Sequence, residues 1–474
     1  MSLDPELLGK AFENLLAAYN PETQTTARKQ TGSFYTPREI VQYMVDESLI
    51  AHLKRTVGDD LEAEYRKLLQ YTDEPFNLNP EQCHAVMQSL YNCKILDPAC
   101  GSGAFPMGVL QQMVHILQRI DPDNTHWKTM MLDCAVGETK EAFQKELPEE
   151  RSDLLKDIER SFDESINRPD YARKLYLIEN CIYGVDIQPI AIQISKLRFF
   201  ISLVVDQKTN NNPADNFGIR PLPNLEAKFV AANTLIGLNK TDASLFDTEE
   251  VKRKEAEMKE ARHKIFSAKT VKTKRKYRQR MVAVRQELSA LLEQSGAVDD
   301  KGAAQLNAWD MFDQNASSPF FDPEWMFGVK DGFDIVIANP PYVLLQNSDI
   351  DKETKNNLKK VYIVAQYKVD LYHLFIERGG KLLCNNGFLC YITPSTFLTN
   401  TYTVKLRQFM LSNYTVFFII NIEDSVFEAC VNTCLIGMKR TTANSNTLVY
   451  MKGSLEPKFL VHPTFRVMRQ SCRA

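Results

Sequence analysis

The sequence predicts an α/β protein: a doubly wound, mostly parallel sheet of seven strands, with a helical region before it and a helical hairpin inserted into it. Three observations predict this. Seven short β-rich runs recur from residue 94 onward: KILDPAC, IYGVDI, KFVAAN, FDIVIANPP, GFLCYITP, VFFIINI and CLIGMKR. The stretches between them are long enough for helices, and alternation of that kind builds a parallel sheet whose strand carboxyl ends form the binding crevice. Two long polar stretches interrupt the alternation without ending it, as insertions do.

Residues 1–93 read as the amino-terminal helical region. Leu8, Phe12, Leu15, Leu16 and Tyr19 recur at helical spacing and place one apolar face on an opening helix. The turn TGSFYTPREI then leads into a helix from Arg38 to about Leu53, with Thr36 as its N-cap and Pro37 in its first turn. Residues 94–249 form the first part of the sheet domain, with a polar helical insertion at about 120–175. Residues 250–300 are the hairpin. Val251, Met258 and Ile265 fall seven apart, while Tyr277, Met281, Val284, Leu288 and Leu291 alternate steps of four and three, which gives two apolar seams for antiparallel helices. Residues 301–450 complete the sheet domain, and 451–474 are a carboxyl-terminal tail or the start of a further region.

With 44% hydrophobic and 25% charged residues among 474, the chain can bury a sizeable core, which excludes disordered and collagen-like classes. The formal charge of −3 offers no overall attraction for a polyanion, so any such attraction must be local. It is concentrated between Val251 and Arg285, where fourteen Lys or Arg face three Glu. That stretch reads equally as a solvated lysine-rich face and as a surface for a nucleic-acid backbone. The ten cysteines include no CxxC pair, so no zinc site, disulfide framework or other metal centre is expected. The longest apolar stretch, around Phe199 to Val205, is far below the ~20 residues of a membrane span. The amino terminus lacks a basic-then-apolar signal pattern, and the reducing cytoplasm is the expected compartment.

Three strand ends carry chemistry. In KILDPACGSGAF an apolar strand ends on Asp97, and Gly101 and Gly103 allow close backbone approach to a ligand at the start of a helix. Asp97 suits a ligand amine. In IYGVDI, Asp186 sits where doubly wound folds place a ribose-binding acid, although a helix-capping role fits that position as well. In FDIVIANPPYV, Asn339, Pro340, Pro341 and Tyr342 follow the strand directly. Two prolines end the sheet pairing and stiffen the loop. The Asn339 carboxamide and the Pro340 carbonyl make two acceptors for an exocyclic amino group, and Tyr342 supplies a flat face for a planar base.

With these strings in place the chain resembles an S-adenosylmethionine-dependent DNA N6-adenine methyltransferase. The likeness is to those fused to nucleases in type IIG restriction–modification enzymes and, more loosely, to type I modification subunits. The matching segments are GSFYTP, DPACGSGAF, YGVDI, AANTLIG, GFDIVIANPPYV, DLYHLF, NGFLCYITPSTFL and the stretch through SVFEACVNTCLIG, in that order from about residue 31 to 440. The resemblance implies a Rossmann-like methyltransferase sheet. It also implies that Tyr35, Thr36 and Pro37 hold the methionine part of the cofactor, and that Asp97, Pro98, Ala99, Cys100, Gly101 and Gly103 surround its amino-acid end. By the same likeness Asp186 and Ile187 face its ribose and adenine, Asn233 faces the adenine, and Asp370 lines the pocket or caps a helix. Asn339, Pro340, Pro341 and Tyr342 would act on the target base, with Phe427 stacking on it unless that ring is an ordinary core residue. Asn rather than Ser before PPY favours adenine over cytosine.

The implied partner is double-stranded DNA, from which the adenine must be flipped to reach the crevice. No PD…ExK nuclease pair occurs before residue 31, and only about 35 residues follow the last of the seven runs. The chain is therefore expected to be the methyltransferase core of a longer protein, without cleavage activity, whose target-recognition and nuclease parts lie on other domains or subunits. Two other readings use the same residues. One is a protein-glutamine or RNA amino-methyltransferase working by the same NPPY chemistry; the other is a non-catalytic cofactor-binding scaffold.

Overall fold

All seven predicted strands form and lie in one sheet: β1 (Ile95–Asp97), β2 (Ile182–Asp186), β3 (Phe229–Ala231), β4 (Phe333–Ala338), β5 (Leu383–Pro394), β6 (Tyr414–Ile422) and β7 (Thr433–Arg440). Two further strands, β8 (Val449–Gly453) and β9 (Thr464–Val467), extend it to nine in the order β9-β8-β6-β7-β5-β4-β1-β2-β3. The sheet is thus wider than the seven runs predict, and its extra edge lies where a tail is expected. The computed structural model describes residues 19–20, 25–26, 36–141, 158–219, 225–239, 249–267, 271–296, 298–348, 350–422, 432–441, 449–453 and 464–467.

Strands β1 to β5 pair in parallel, and β7 runs antiparallel between β5 and β6. The chain leaves β1 toward β2 and β3, then returns to the other side of β1 with β4 and β5. The order therefore reverses between β1 and β4, and the carboxyl ends of these two strands are where an open α/β sheet binds its ligand.

Alternating strand residues feed two cores. Ile95, Ile335, Ile337, Cys390 and Ile392 point to one face. Helices α1 (Arg38–Thr56), α2 (Glu62–Leu69), α3 (Pro80–Asn92), α4 (Ala104–Ile120), α5 (Thr125–Glu141), α6 (Asp170–Asn180) and α7 (Pro189–Val204) all contribute to that face. Leu96, Val336, Ala338, Leu389 and Tyr391 point to the other, which the later helices cover. A strand buried on both faces has no polar side, which is why these runs read as continuous apolar stretches.

The insertion after β3 forms α8 (Glu249–Ser267) and α9 (Val271–Gln294). Lys254 pairs with Glu287 and Arg280 with Glu257, so the two helices run antiparallel. Val251, Met258, Ala261, Ile265, Met281, Val284 and Leu288 are buried along the seam. The seam is continuous with the core under Leu96 and Val336, so the hairpin packs on the sheet domain as well as on itself. Short helices α10 (Asp300–Ala308) and α11 (Pro323–Phe327) lead back into β4. Beyond β4, α12 (Lys352–Val361) and α13 (Leu371–Leu382) precede β5, and α14 (Val404–Asn413) precedes β6. Among the described residues no helix is long and apolar enough to cross a membrane.

One capping expectation is corrected. Helix α1 starts at Arg38 with Pro37 itself as the N-cap residue, and no side chain caps it. Proline at that position has the extended ψ a cap requires, and its carbonyl accepts the first amides of the helix, Ile40 and Val41. The Thr36 hydroxyl is engaged elsewhere.

Candidate active site

The glycine loop is built by β1 and fastened by α7. The N–H of Ala99 donates to Asp97 Oδ1 at 3.0 Å, and the N–H of Cys100 to the Val185 carbonyl at 2.9 Å. Gly101 (φ 52°) and Gly103 (φ 83°) both take left-handed conformations that favour glycine. Ser195 Oγ donates to the Gly101 carbonyl at 2.9 Å and Arg198 Nη1 to the Ser102 carbonyl at 2.9 Å, pinning the turn to α7. Thr234 Oγ1 donates to the Pro98 carbonyl at 2.7 Å, and Arg378 Nε donates to the Thr234 carbonyl at 2.9 Å. No motif announces Ser195, Arg198, Thr234 or Arg378; their spacing reads as ordinary helix or loop, and only the fold brings them to the loop.

Asp97 is 1% exposed, and its second carboxylate oxygen is one of the buried atoms without a hydrogen-bond partner among the described residues. Burial pushes its carboxyl well above the usual range, and the neighbouring Asp186 pushes it the same way. A buried acid with an unsatisfied oxygen suits a cationic amine, which would relieve both penalties. A Cβ built on Gly101 would meet nothing within 4 Å, so the loop leaves open space beside that acid for a ligand. Pro98 and Cys100 are buried, and the Cys100 side chain joins the core beneath the loop.

Asp186 is half-buried at the end of β2. It accepts from Gly101 N at 3.0 Å and from Gln188 N at 2.8 Å, and burial raises its pKa. The N-cap of α7 is Gln188, so Asp186 ties the glycine loop to the turn before α7 and does not cap the helix. Ile187 beside it is 54% exposed, an apolar face at the crevice rim. Asn233 folds its Oδ1 back onto Leu235 N at 3.1 Å, an Asx turn shaping the loop after β3.

The loop after β4 joins this arrangement through Thr36. Asn339 Nδ2 donates to Thr36 Oγ1 at 3.1 Å, across 303 residues of chain. Thr36 is only 4% exposed. Pro340 is buried, while Pro341 and Tyr342 are half-buried. The Tyr342 hydroxyl donates to the Ile392 carbonyl of β5 at 3.0 Å, and its ring meets Tyr372 edge-on at 6.2 Å, so two contacts fix its plane. The chain leaving Tyr342 is strapped down: Leu345 N donates to Val369 O at 2.8 Å and Leu371 N to Val343 O at 2.9 Å. Asp370, between Val369 and Leu371, forms a reciprocal capping box with His373 at the start of α13. Its Oδ1 is another buried atom without a hydrogen-bond partner among the described residues, and burial pushes its pKa up to about 6.

The structure thus gathers Thr36, Pro37, Asp97 to Gly103, Asp186, Ile187, Asn233, Asn339 to Tyr342 and Asp370 around the carboxyl ends of neighbouring strands. Tyr35 and Phe427 lie outside the described residues. At the opposite end of the sheet, His52, Cys93 and Asp334 also come together. There Arg55 pairs with Asp334 and lies 3.1 Å from His52 Nδ1, so a guanidinium supplies the positive charge and ties α1 to β4.

A family model described as Eco57I restriction-modification methylase matches residues 180–427, more than half of the chain. The putative type II restriction enzyme and methyltransferase RM.MjaORFECS2P of Methanocaldococcus jannaschii is 24% identical over 95% of this chain and 39% of its own length. The adenine-specific methyltransferase BrxX of Escherichia coli O9:H4 (strain HS) is 24% identical over 80% of this chain and 28% of its own. The type II methyltransferase M.BstVI of Geobacillus stearothermophilus is 37% identical over 20% of this chain and 17% of its own. The chain therefore spans well under half the length of these relatives. Among solved structures, the type IIL restriction-modification enzyme MmeI in complex with DNA aligns over 98% of this chain and 43% of that one, with a TM-score of 0.46 and 11% identity. On the match over residues 180–427, which takes in Asp186 and the loop after β4, the chain belongs to the Eco57I restriction-modification methylase family.

Proposed function

We propose that this chain transfers a methyl group from S-adenosylmethionine to the N6 amino group of an adenine flipped out of duplex DNA, as the modification part of a restriction–modification system. The chain is an enzyme of a methylase family, and S-adenosylmethionine is the methyl donor. When bound, the cofactor supplies a methyl group made electrophilic by a sulfonium sulfur. The Asp97 carboxylate would bind its ammonium group, Gly101 and Gly103 would admit it to the backbone, and Asp186 with Ile187 would take its ribose and adenine.

The observation that carries the reading is the Asn339–Thr36 hydrogen bond. It turns the amide nitrogen toward Thr36 and so sets the orientation of the carboxamide, whose oxygen is the end chemically able to accept from an amino group. Adenine N6 is a poor nucleophile because its lone pair is delocalised into the ring. Asn339 Oδ1 and the Pro340 carbonyl accept its two hydrogens and draw the nitrogen toward a tetrahedral, more nucleophilic shape. Holding N6 beside the methyl carbon supplies much of the remaining rate. Tyr342, with Phe427 as the family resemblance implies, replaces the stacking that the base loses on leaving the duplex. Methyl transfer leaves the nitrogen cationic, so the proton it then loses passes to solvent without a strong general base.

Incubating the chain with labelled S-adenosylmethionine and mixed-sequence DNA, then digesting to nucleosides, tests this. Label is expected in N6-methyladenine. Asn339→Ala is expected to keep cofactor affinity and lose methyl transfer by at least roughly a hundredfold, the scale of removing a transition-state acceptor. Label in protein or RNA in place of DNA, or undiminished transfer by the variant, overturns the reading.

A further inference from the structure

Two surface segments flank the candidate site on its β5 side. The first, Lys355–Val369, spans the end of α12 and the loop into α13. It is held at both ends to the chain leaving Tyr342: Lys355 Nζ donates to Ser348 O at 2.6 Å, and Val369 O accepts from Leu345 N. The second, Ser395–Asn413, continues directly from β5, the strand whose Ile392 carbonyl holds Tyr342. The segments meet where Lys405 N donates to Gln366 Oε1 at 3.4 Å and where the rings of Tyr367 and Tyr402 lie 5.0 Å apart, tilted by 57°.

Their surface chemistry is unusual for a domain of charge −3. Neither segment contains an Asp or Glu, while together they carry Lys355, Lys359, Lys360, Lys368, Lys405 and Arg407. Lys359, Lys360, Lys368 and Lys405 are exposed, and Lys368 Nζ sits 5.7 Å from the centre of the Tyr367 ring. Between the lysines stand large apolar side chains in solvent: Tyr367 at 65% exposure, Tyr402 at 46%, with Val361 and Ile363 beside them. Lys368 has φ 55°, a left-handed conformation rare outside glycine and Asn, and it presents its ammonium beside the ring.

We propose that the Tyr367–Tyr402 pair and Lys359, Lys360, Lys368 and Lys405 form a docking step for the DNA strand next to the flipped base. The tyrosine rings stack against an exposed base face, and the lysines neutralise the adjoining phosphates. Charge complementarity chooses this occupant: a polyanion with planar bases satisfies both the lysines and the aromatic rings. The alkyl stems of the lysines and the faces of Val361 and Ile363 complete an apolar floor under the sugar. This step rests on the DNA reading above and deepens it, by naming a surface outside the NPPY loop that holds the substrate.

The test is fluorescence anisotropy of the full chain with a fluorescein-labelled duplex of mixed sequence and the same duplex carrying one unpaired adenine. Tyr367→Ala with Tyr402→Ala is expected to weaken binding of the second duplex by about tenfold or more, as loss of base stacking does. Tyr367→Phe with Tyr402→Phe is expected to bind like the unaltered chain. Replacing Lys359, Lys360 and Lys368 by Gln should flatten the dependence of affinity on salt by roughly one power for each phosphate that no longer has a lysine beside it. Unchanged S-adenosylhomocysteine binding by calorimetry shows that each variant is folded. If the unaltered chain binds DNA and all these variants bind it equally well, the docking step is refuted and the catalytic reading stands. If the unaltered chain binds neither duplex, both are overturned.

Discussion

Thr36 illustrates how a side chain's task is set by what faces it. Its sequence position suits a helix cap, yet its hydroxyl accepts from Asn339, and Pro37 begins the helix unaided. Thr36→Val removes that hydroxyl at nearly constant shape. Turnover on DNA is expected to fall by roughly tenfold, the scale of one hydrogen bond to a positioned group; Thr36→Ser should restore it, and equal rates in the two variants would refute the link. The buried acids make a second case. Asp97, Asp186 and Asp370 all have raised pKa values through burial, Asp370 to about 6. For a carboxyl whose folded pKa is raised, the stability it contributes is complete at low pH and is lost as pH rises through the folded value. A cationic ligand favours the ionised form of Asp97, so its binding releases protons and its affinity strengthens as pH rises. Calorimetry in buffers of different protonation enthalpy checks this, and pH-independent affinity would contradict it. Asp97→Asn should accordingly raise the melting temperature of the ligand-free chain while weakening cofactor binding by about tenfold or more.

The glycine loop shows the same separation of fold from site within one element. A Cβ on Gly103 would lie 2.9 Å from Ser195 Oγ and 3.5 Å from the Ser195 Cα, at φ 83°. Gly103→Ala is therefore expected to destabilise the chain by roughly 1–2 kcal/mol from backbone strain alone, with more from the contact with α7. Gly101 has a similar φ but open space above it. Gly101→Ala should keep more of the stability and lose cofactor affinity. Comparing denaturation midpoints and cofactor titrations of the two variants tests the division, and it fails if both lose stability alike. The loop's presence and its strand–turn–helix setting were legible in DPACGSG. Its fastening was not, because Ser195 and Arg198 lie on a helix more than ninety residues away and reach the loop chiefly through its backbone carbonyls. A backbone acceptor leaves no mark in the sequence.

For the whole molecule, the basic insertion was readable as a helical hairpin because its seams repeat at a helix's own period. Its attachment was not readable from the period. Leu288 on that seam belongs to the core shared with Leu96 and Val336, so Leu288→Ala is expected to lower the stability of the domain by about 2–5 kcal/mol in a single cooperative transition. A separate hairpin transition seen by calorimetry would refute that. Part of the insertion's charge is also paired locally, with Lys254 on Glu287, Arg280 on Glu257 and Glu255 on Lys330. By itself the sequence determined the strand positions, the glycine and Asn-Pro-Pro-Tyr loops and the hairpin, since each rests on spacing between near neighbours or on residues with few conformations. Only the tertiary structure decided that Thr36 meets Asn339 and that Asp97 buries an oxygen with no partner among the described residues. It also decided that Tyr367 meets Tyr402 beside the site and that β8 and β9 widen the sheet. Those are contacts between distant segments, fixed by how strands order and helices pack, and no local period encodes them.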